Sequence, residues 1–191
     1  MNKSLLLFVA SLIYSNFVYA IDLGSTPGNV TDRIVARISN IDDVGVVYVV
    51  NERTLNLRRF EPVVQCQWQG SNCSSSGSLS GHLTDGVNYI IFGCYNKVFN
   101  GLWGGKWSYS FSLVHDGNTV WRASNHVRNN TEGLKYTSAI KAVVRNGSVT
   151  ISQNFSRAEA NVLSKIEIGI ERSLEGSGTA NWFDGVLKEV N

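Results

Sequence analysis

The stretch "WRASNHVRNNTEGLKY", residues 121–136, gathers the side chains best suited to chemistry on a ligand: Arg122, Asn125, His126, Arg128, Lys135 and Tyr136. Guanidinium forks and side-chain amides match hydroxyl and carboxylate groups, as on an acidic glycan. His126 and Tyr136 also have the residue types of a base/acid pair that abstracts a proton beside a carboxylate, with Arg122 or Arg128 neutralising that group. A solvated loop is the plain alternative for the same run. Upstream, "FNGLWGGK" sets Trp103 between glycines, where the backbone can turn sharply and bring the ring close to a partner. Such a ring is a binding anchor that stacks on a sugar or a protein, or else a lid folded over the end of a core.

The candidate ligand-binding set is therefore Trp103, Arg122, Asn125, His126, Arg128 and Tyr136, and no residue is assigned a catalytic role. Nothing in the chain has the spacing of a phosphate loop, a metal-ligand cluster or a nucleophile with its base, so no cofactor and no metal is expected. Asp184 in "NWFDGV" reads as a turn residue, because calcium requires several oxygen ligands that the neighbouring sequence does not supply. His82 and His115 stand beside turn residues and are expected in solvent.

The elements that position these residues belong to an exported chain. Residues 1–20, "MNKSLLLFVASLIYSNFVYA", have a lysine, an apolar stretch from Leu5 to Ile13, and Val18 and Ala20 at the small-residue positions of a cleavage site. That is the pattern of a secretory signal peptide, with an apolar core shorter than the roughly 20 residues a membrane-spanning helix needs. The run "VNYIIFGCY" at 87–95 is shorter still, so no transmembrane segment is expected. Residues 21–191 suit one domain, large enough to bury about 70% of its unfolded surface. The 17 basic and 15 acidic residues nearly balance and form no basic stripe, which argues against a nucleic-acid partner.

Cys66, Cys73 and Cys94 allow one internal disulfide in an oxidising compartment. "CQWQGSNC" encloses a Gly-Ser turn and makes Cys66–Cys73 the first choice, although counting equally allows Cys66–Cys94. Cys94 lies in an apolar strand pattern and reads as a buried thiol. Beyond residue 20, five sequons, at Asn29, Asn72, Asn129, Asn146 and Asn154, are compatible with glycosylation, but a chain this rich in Asn, Ser and Thr produces about three by chance.

Period-two alternation dominates. "RIVARIS" puts Ile34, Ala36 and Ile38 on one side; "VGVVYVV", "VNYIIFGCY", "KWSYSFSLV", "YTSAIKAVV", "SVTIS", "KIEIGIE" and "WFDGVLKEV" follow, separated by Gly, Asn, Asp and Ser. These are the marks of an all-β chain, an antiparallel β-sandwich of jelly-roll or immunoglobulin-like type. Ser156 and Glu159 form a capping-box pattern that predicts at most one short helix near 157–164. "GSNCSSSGSLSG", 70–81, is expected to be a mobile loop. The row Trp107, Tyr109, Phe111, Leu113 fits a sandwich core, and less well the lipid face of a pore-forming strand.

Two turns set register. Around Asn146-Gly147 a two-residue turn pairs Val144 with Val149 and Ala142 with Ile151, and gathers Ile140 onto the same apolar face. Around Asp116-Gly117 a plain two-residue turn places Trp121 opposite Ser112, whereas a glycine-bulged three-residue loop moves it to the aromatic face. A tryptophan buries about 150–250 Å², roughly 4–6 kcal/mol before entropy, which favours the bulged register.

These observations point to a secreted or periplasmic β-sandwich that is a non-catalytic, lectin-like binder of carbohydrate through an aromatic, Arg- and Asn-rich loop surface. The alternatives are a structural or adhesion protein that contacts a cell-surface protein through its odd cysteine or a strand edge, an acidic-polysaccharide lyase, and a membrane-damaging protein.

Overall fold

Strand β2 (Val44–Val50) is buried at every position, and the reason is that the sheet containing it has a core on each face. The computed structural model describes residues 28–51, 54, 62–67, 73–96, 107–128, 133–164 and 166. Among these, the other strands are β1 (Ile34–Ile41), β3 (Val64–Gln67), β4 (Cys73–Ser78), β5 (Gly86–Asn96), β6 (Trp107–His115), β7 (Asn118–Val127), β8 (Gly133–Arg145) and β9 (Ser148–Ser152). They form a four-stranded sheet in the order β4-β1-β6-β7 and a five-stranded sheet in the order β3-β2-β5-β8-β9. All pairings are antiparallel, and the architecture is the all-β sandwich that the alternation implies.

The first core lies between the sheets. Ile34, Ala36 and Ile38 of β1 and Trp107, Tyr109, Phe111 and Leu113 of β6 meet Val47, Val49, Ile90, Phe92, Ile140, Ala142 and Val144. The aromatic row of β6 thus faces the second sheet and not lipid. Tyr109 stacks on Tyr136 with ring centroids 4.4 Å apart. Burial, with Tyr136 and Cys94 nearby, pushes the Tyr109 phenol up to about 12.

The second core covers the far face of the five-stranded sheet. Val44, Val46, Tyr48 and Val50 alternate with the inward residues of β2 and join Tyr89, Ile91 and Tyr95 beneath Phe155, Val162, Leu163 and Ile166. The last three belong to helix α1 (157–164, with residue 166 also helical). Residue 166 therefore departs from the strand expected of "KIEIGIE"; the rest of that run beyond it, and "WFDGVLKEV", lie outside the described residues.

The capping box forms as its sequence predicts: Ser156 N donates to Glu159 Oε2 at 2.6 Å, and Glu159 N donates to Ser156 Oγ at 3.2 Å. The same carboxylate also docks the helix. Tyr89 Oη donates to Glu159 Oε1 at 2.9 Å, and Lys141 Nζ donates to Oε1 and Oε2 at 3.2 and 3.3 Å. Burial raises the Glu159 carboxyl, but the bonds from Ser156, Tyr89 and Lys141 outweigh it and hold the group below its ordinary range. Burial and Glu159 together push the Tyr89 phenol far up, so it remains a donor.

Both turns are of the mirror-image two-residue type. Asn146 and Gly147 have φ of 52° and 83°, Asp116 and Gly117 of 47° and 84°. At the first, Val144 pairs with Val149 and Ala142 with Ile151, as expected. At the second, His115 pairs with Asn118 and Val114 with Thr119, but Leu113 then pairs with Trp121. The bulge is thus at Val120, two pairs beyond the turn rather than within it. Trp121 joins the aromatic face and packs on Phe92 with centroids 4.7 Å apart, while Val120 is left 45% exposed.

A disulfide joins Cys66 to Cys73, with Cα atoms 5.7 Å apart. Gly45 pairs with both Cys66 and Cys94, so those two cysteines are two strands apart. That is about 10 Å, beyond the reach of about 7 Å for a disulfide. Cys73 opens β4, where a mobile loop was expected: residues 73–78 are a strand paired to β1. The segment has no apolar alternation, and the disulfide and the neighbouring strand supply what its sequence lacks. Cys94 is free and buried, which opposes a role in bridging two chains.

The segment before β1 ties the hairpin tips together. Thr31 N donates to Gly147 O at 2.9 Å, Val149 N to Asp32 Oδ2 at 2.7 Å, and Asp116 N to Arg33 O at 2.9 Å. A side chain at Gly147 would stand 2.7 Å from Asn29 O, so the turn glycine is required both by its positive φ and by this close approach. His115, expected in solvent, is half-buried, with Nε2 3.0 Å from Asp32 Oδ2. The Val149 amide and His115 hold the Asp32 carboxyl below its ordinary range.

Glu159→Ala is expected to destabilise the fold by about 2–3 kcal/mol, through loss of the cap and of the buried acceptor. Because the folded-state Glu159 value lies below the unfolded one near about 4.3, its contribution is complete above that pH and disappears as pH falls through the folded value. Urea titrations across acid pH should therefore show a shallower loss of stability in Glu159→Gln than in wild type. Burial, reinforced by Asp43 and Asp42, pushes the Cys94 thiol up to about 12; a thiol reagent should leave it unmodified in native protein and label one thiol per chain after denaturation without reductant.

Candidate functional site

The second core and its helix cover the far face of the five-stranded sheet, so among the described layers the bare surface is the outer face of the four-stranded sheet. Its composition follows from the same alternation that builds the core: while Ile34, Ala36 and Ile38 point in, Val35, Arg37 and Ser39 point out. In β6 the outward residues are Ser108, Ser110, Ser112 and Val114, between Trp107, Tyr109, Phe111 and Leu113; Ser110 and Ser112 are half-exposed, whereas Val114 is buried and Ser108 is buried with its hydroxyl donating to Asn40 O.

Register aligns these residues into rows across the strands. One row runs Ser76–Arg37–Ser112–Arg122 from β4 to β7. The next runs Ser39–Ser110–Ser124, and beyond it Ser108 stands opposite His126. Arg37, Ser76, Arg122, Ser124 and His126 are exposed, and Ser112 is half-exposed. Arg37 and Arg122 flank Ser112 at two strand spacings, about 10 Å between Cα atoms. Among the described residues neither guanidinium has an ion-pair or hydrogen-bond partner, and no Asp or Glu occupies an outward position in these rows. Ten N–H donors are thus offered beside hydroxyls that both donate and accept.

The residues expected to form the site separate into two groups. Arg122 and His126 belong to the outer face, and Arg128 follows β7 as an exposed residue. Asn125 pairs with Tyr109, on the inward side at the sheet's edge, and its Oδ1 accepts from His126 N at 2.8 Å. Tyr136 belongs to β8 and packs inside the sandwich against Tyr109 and Phe111. Trp103 lies outside the described residues. Much of the run expected to be a loop is strand, with residues 121–127 in β7 and 133–136 in β8. An extended strand sends neighbours to opposite sides, which is why Arg122 and His126 share a face that Asn125 does not.

This placement removes the base/acid pair of the lyase reading, since His126 is on the outer face of one sheet and Tyr136 is packed between the two. Arg37, Ser76 and Ser112 are residues that inspection of 121–136 misses. Their signal is present in "RIVARIS" and in the serine positions of "KWSYSFSLV", but it becomes a row only when β1, β4 and β6 are paired. Comparisons with protein families, with curated proteins and with solved structures find no match to this chain.

Proposed function

We propose that the protein is a non-catalytic, lectin-like binding protein of the secreted or periplasmic space, and that it recognises carbohydrate bearing anionic groups on the outer face of its four-stranded sheet. The observation that carries this reading is the row Ser76–Arg37–Ser112–Arg122, with two guanidiniums that have no partner among the described residues and no carboxylate at its paired positions. Guanidinium binds carboxylate or sulfate oxygens through paired N–H donors, and serine hydroxyls exchange hydrogen bonds with sugar hydroxyls in place of water. Export is supported by the pattern of residues 1–20 and by the Cys66–Cys73 disulfide, which suits an oxidising compartment. No helix among the described residues is long and apolar enough to cross a membrane.

A second reading, an adhesion or assembly protein, is favoured by one feature: among the described strands β7 is an edge strand of ten residues in its sheet. An open edge can pair with a strand of another chain, although the bulge at Val120 interrupts it.

A panel of neutral, uronate-bearing and sulfated oligosaccharides distinguishes the two. Saturable binding to anionic members is expected, weakening as salt rises. Arg37→Ala and Arg122→Ala should each lower affinity by about 10- to 100-fold, the worth of a charge-assisted contact, with little change in melting temperature because both side chains are exposed. Absence of binding by wild type, or equal binding of neutral and anionic sugars unaffected by either substitution, would overturn the reading. Concentration-dependent self-association without glycan binding would favour the edge.

A further inference from the structure

The half-buried histidine at the end of β6 directs one ring nitrogen towards two carboxylates, one distant in sequence and one in the next residue. His115 Nε2 is 3.0 Å from Oδ2 of Asp32, in the segment before β1, and 3.6 Å from Oδ2 of Asp116, in the β6–β7 turn. The three donor atoms all lie within 4.8 Å of one another. Each carboxylate is oriented from outside the trio. Arg33 N donates to Asp116 Oδ1 at 2.7 Å and leaves Oδ2 facing the histidine, while Val149 N donates to Asp32 Oδ2 at 2.7 Å. Supporting bonds of this kind hold the carboxylate ligands of metal sites in place.

Hydrogen bonding within the trio does not account for its shape. Nε2 carries at most one proton, and the bond to Asp32 uses it; the contact to Asp116 at 3.6 Å is too long to be a second hydrogen bond. Asp116 therefore stands beside the histidine without a hydrogen bond from it, while Asp32 accepts from both His115 and Val149. A divalent cation in place of that proton would be bonded by all three atoms at once. Nitrogen and oxygen ligands placed about 2.0–2.2 Å from a common ion stand about 3.0–3.6 Å apart, the range spanned by the two histidine contacts.

We propose that Asp32, His115 and Asp116 form a divalent-metal site, suited by its one imidazole and two carboxylates to zinc or manganese. Three protein ligands leave at least one coordination position for water. The ion fastens the segment before β1 to the β6–β7 turn directly, and to the β8–β9 hairpin through the bond from Val149 N to Asp32. The site is independent of the anion-binding reading, because none of its ligands belongs to the row containing Arg37 and Arg122.

The test uses the full chain, freed of metal with a chelator and titrated separately with zinc and manganese chloride, followed by calorimetry and thermal unfolding. One ion per chain is expected for at least one metal, with a melting temperature that rises by several degrees as the ion saturates. His115→Ala and Asp116→Asn should each bind that ion at least about tenfold more weakly and lose the shift. Asp116→Asn retains a side-chain oxygen for Arg33 N and alters an exposed group, so it decides the matter if His115→Ala fails to fold. His82→Ala/His126→Ala should bind like wild type. No saturable stabilisation by either metal, or wild-type binding in Asp116→Asn, would overturn the site.

Discussion

Strands β2 and β5 are apolar on both faces, and most of the architecture follows from the need to hide both. Val47, Val49, Ile90 and Phe92 require a cover on one side, and Val46, Tyr48, Tyr89 and Ile91 require one on the other. The four-stranded sheet meets the first need with the aromatic row of β6. Helix α1 meets the second, but it is too short to be stable alone and depends on the apolar stripe it lays on the sheet. Glu159 joins the two requirements, because one carboxylate both closes the helix's first turn and accepts from Tyr89 and Lys141 on the strands beneath. With both faces of the five-stranded sheet covered, the surface left to water among the described layers is the outer face of the other sheet.

The parts of this fold legible in the sequence are those set by local chemistry. The Asn146-Gly147 hairpin has turn residues and apolar pattern in agreement, and its pairing is the expected one. The capping box likewise needs only Ser156 and Glu159, three positions apart. At Asp116-Gly117 the two signals conflict: the dipeptide demands a two-residue turn, while Trp121 demands the aromatic face. The chain satisfies both by inserting Val120 two pairs later. Burial of the tryptophan outweighs exposure of a valine, which is the smaller apolar side chain. Pattern alone identifies the winner in that contest, but not the residue at which the compromise is made.

What was not legible depends on partners distant in sequence. Strand β4 is serine-rich and reads as a loop; it is extended because Cys73 is held to Cys66 and because β1 supplies hydrogen-bonding partners. His115 reads as a solvated turn residue because Asp32 is 83 positions away. The candidate face shows the same division. Arg122 and His126 stand out within a run dense in polar side chains, whereas Arg37 is one alternating position of "RIVARIS" until β6 brings it level with Ser112. Tyr136, in the same dense run as Arg122, is drawn inward because β8 pairs with β5 across Cys94.

The uncovered face also differs in kind from the surfaces the fold chooses to bury. Apolar side chains at its outward positions are Val35 and Val114, which stand in one row and of which Val114 is buried, and the remaining paired positions are serine, threonine, arginine and histidine. A protein layer packed there would strip water from hydroxyls and guanidiniums and return little apolar contact, a net cost unless every polar group found a partner. A hydroxyl-bearing anionic ligand replaces that water group for group and brings the charge the arginines lack. Serine keeps the rows low, so the two guanidiniums rise above a flat floor with no long neighbour to occupy them. The alternation that makes one side of β6 a row of tryptophan, tyrosine and phenylalanine thereby makes its other side a row of small hydroxyls, and core and candidate site are two consequences of one pattern.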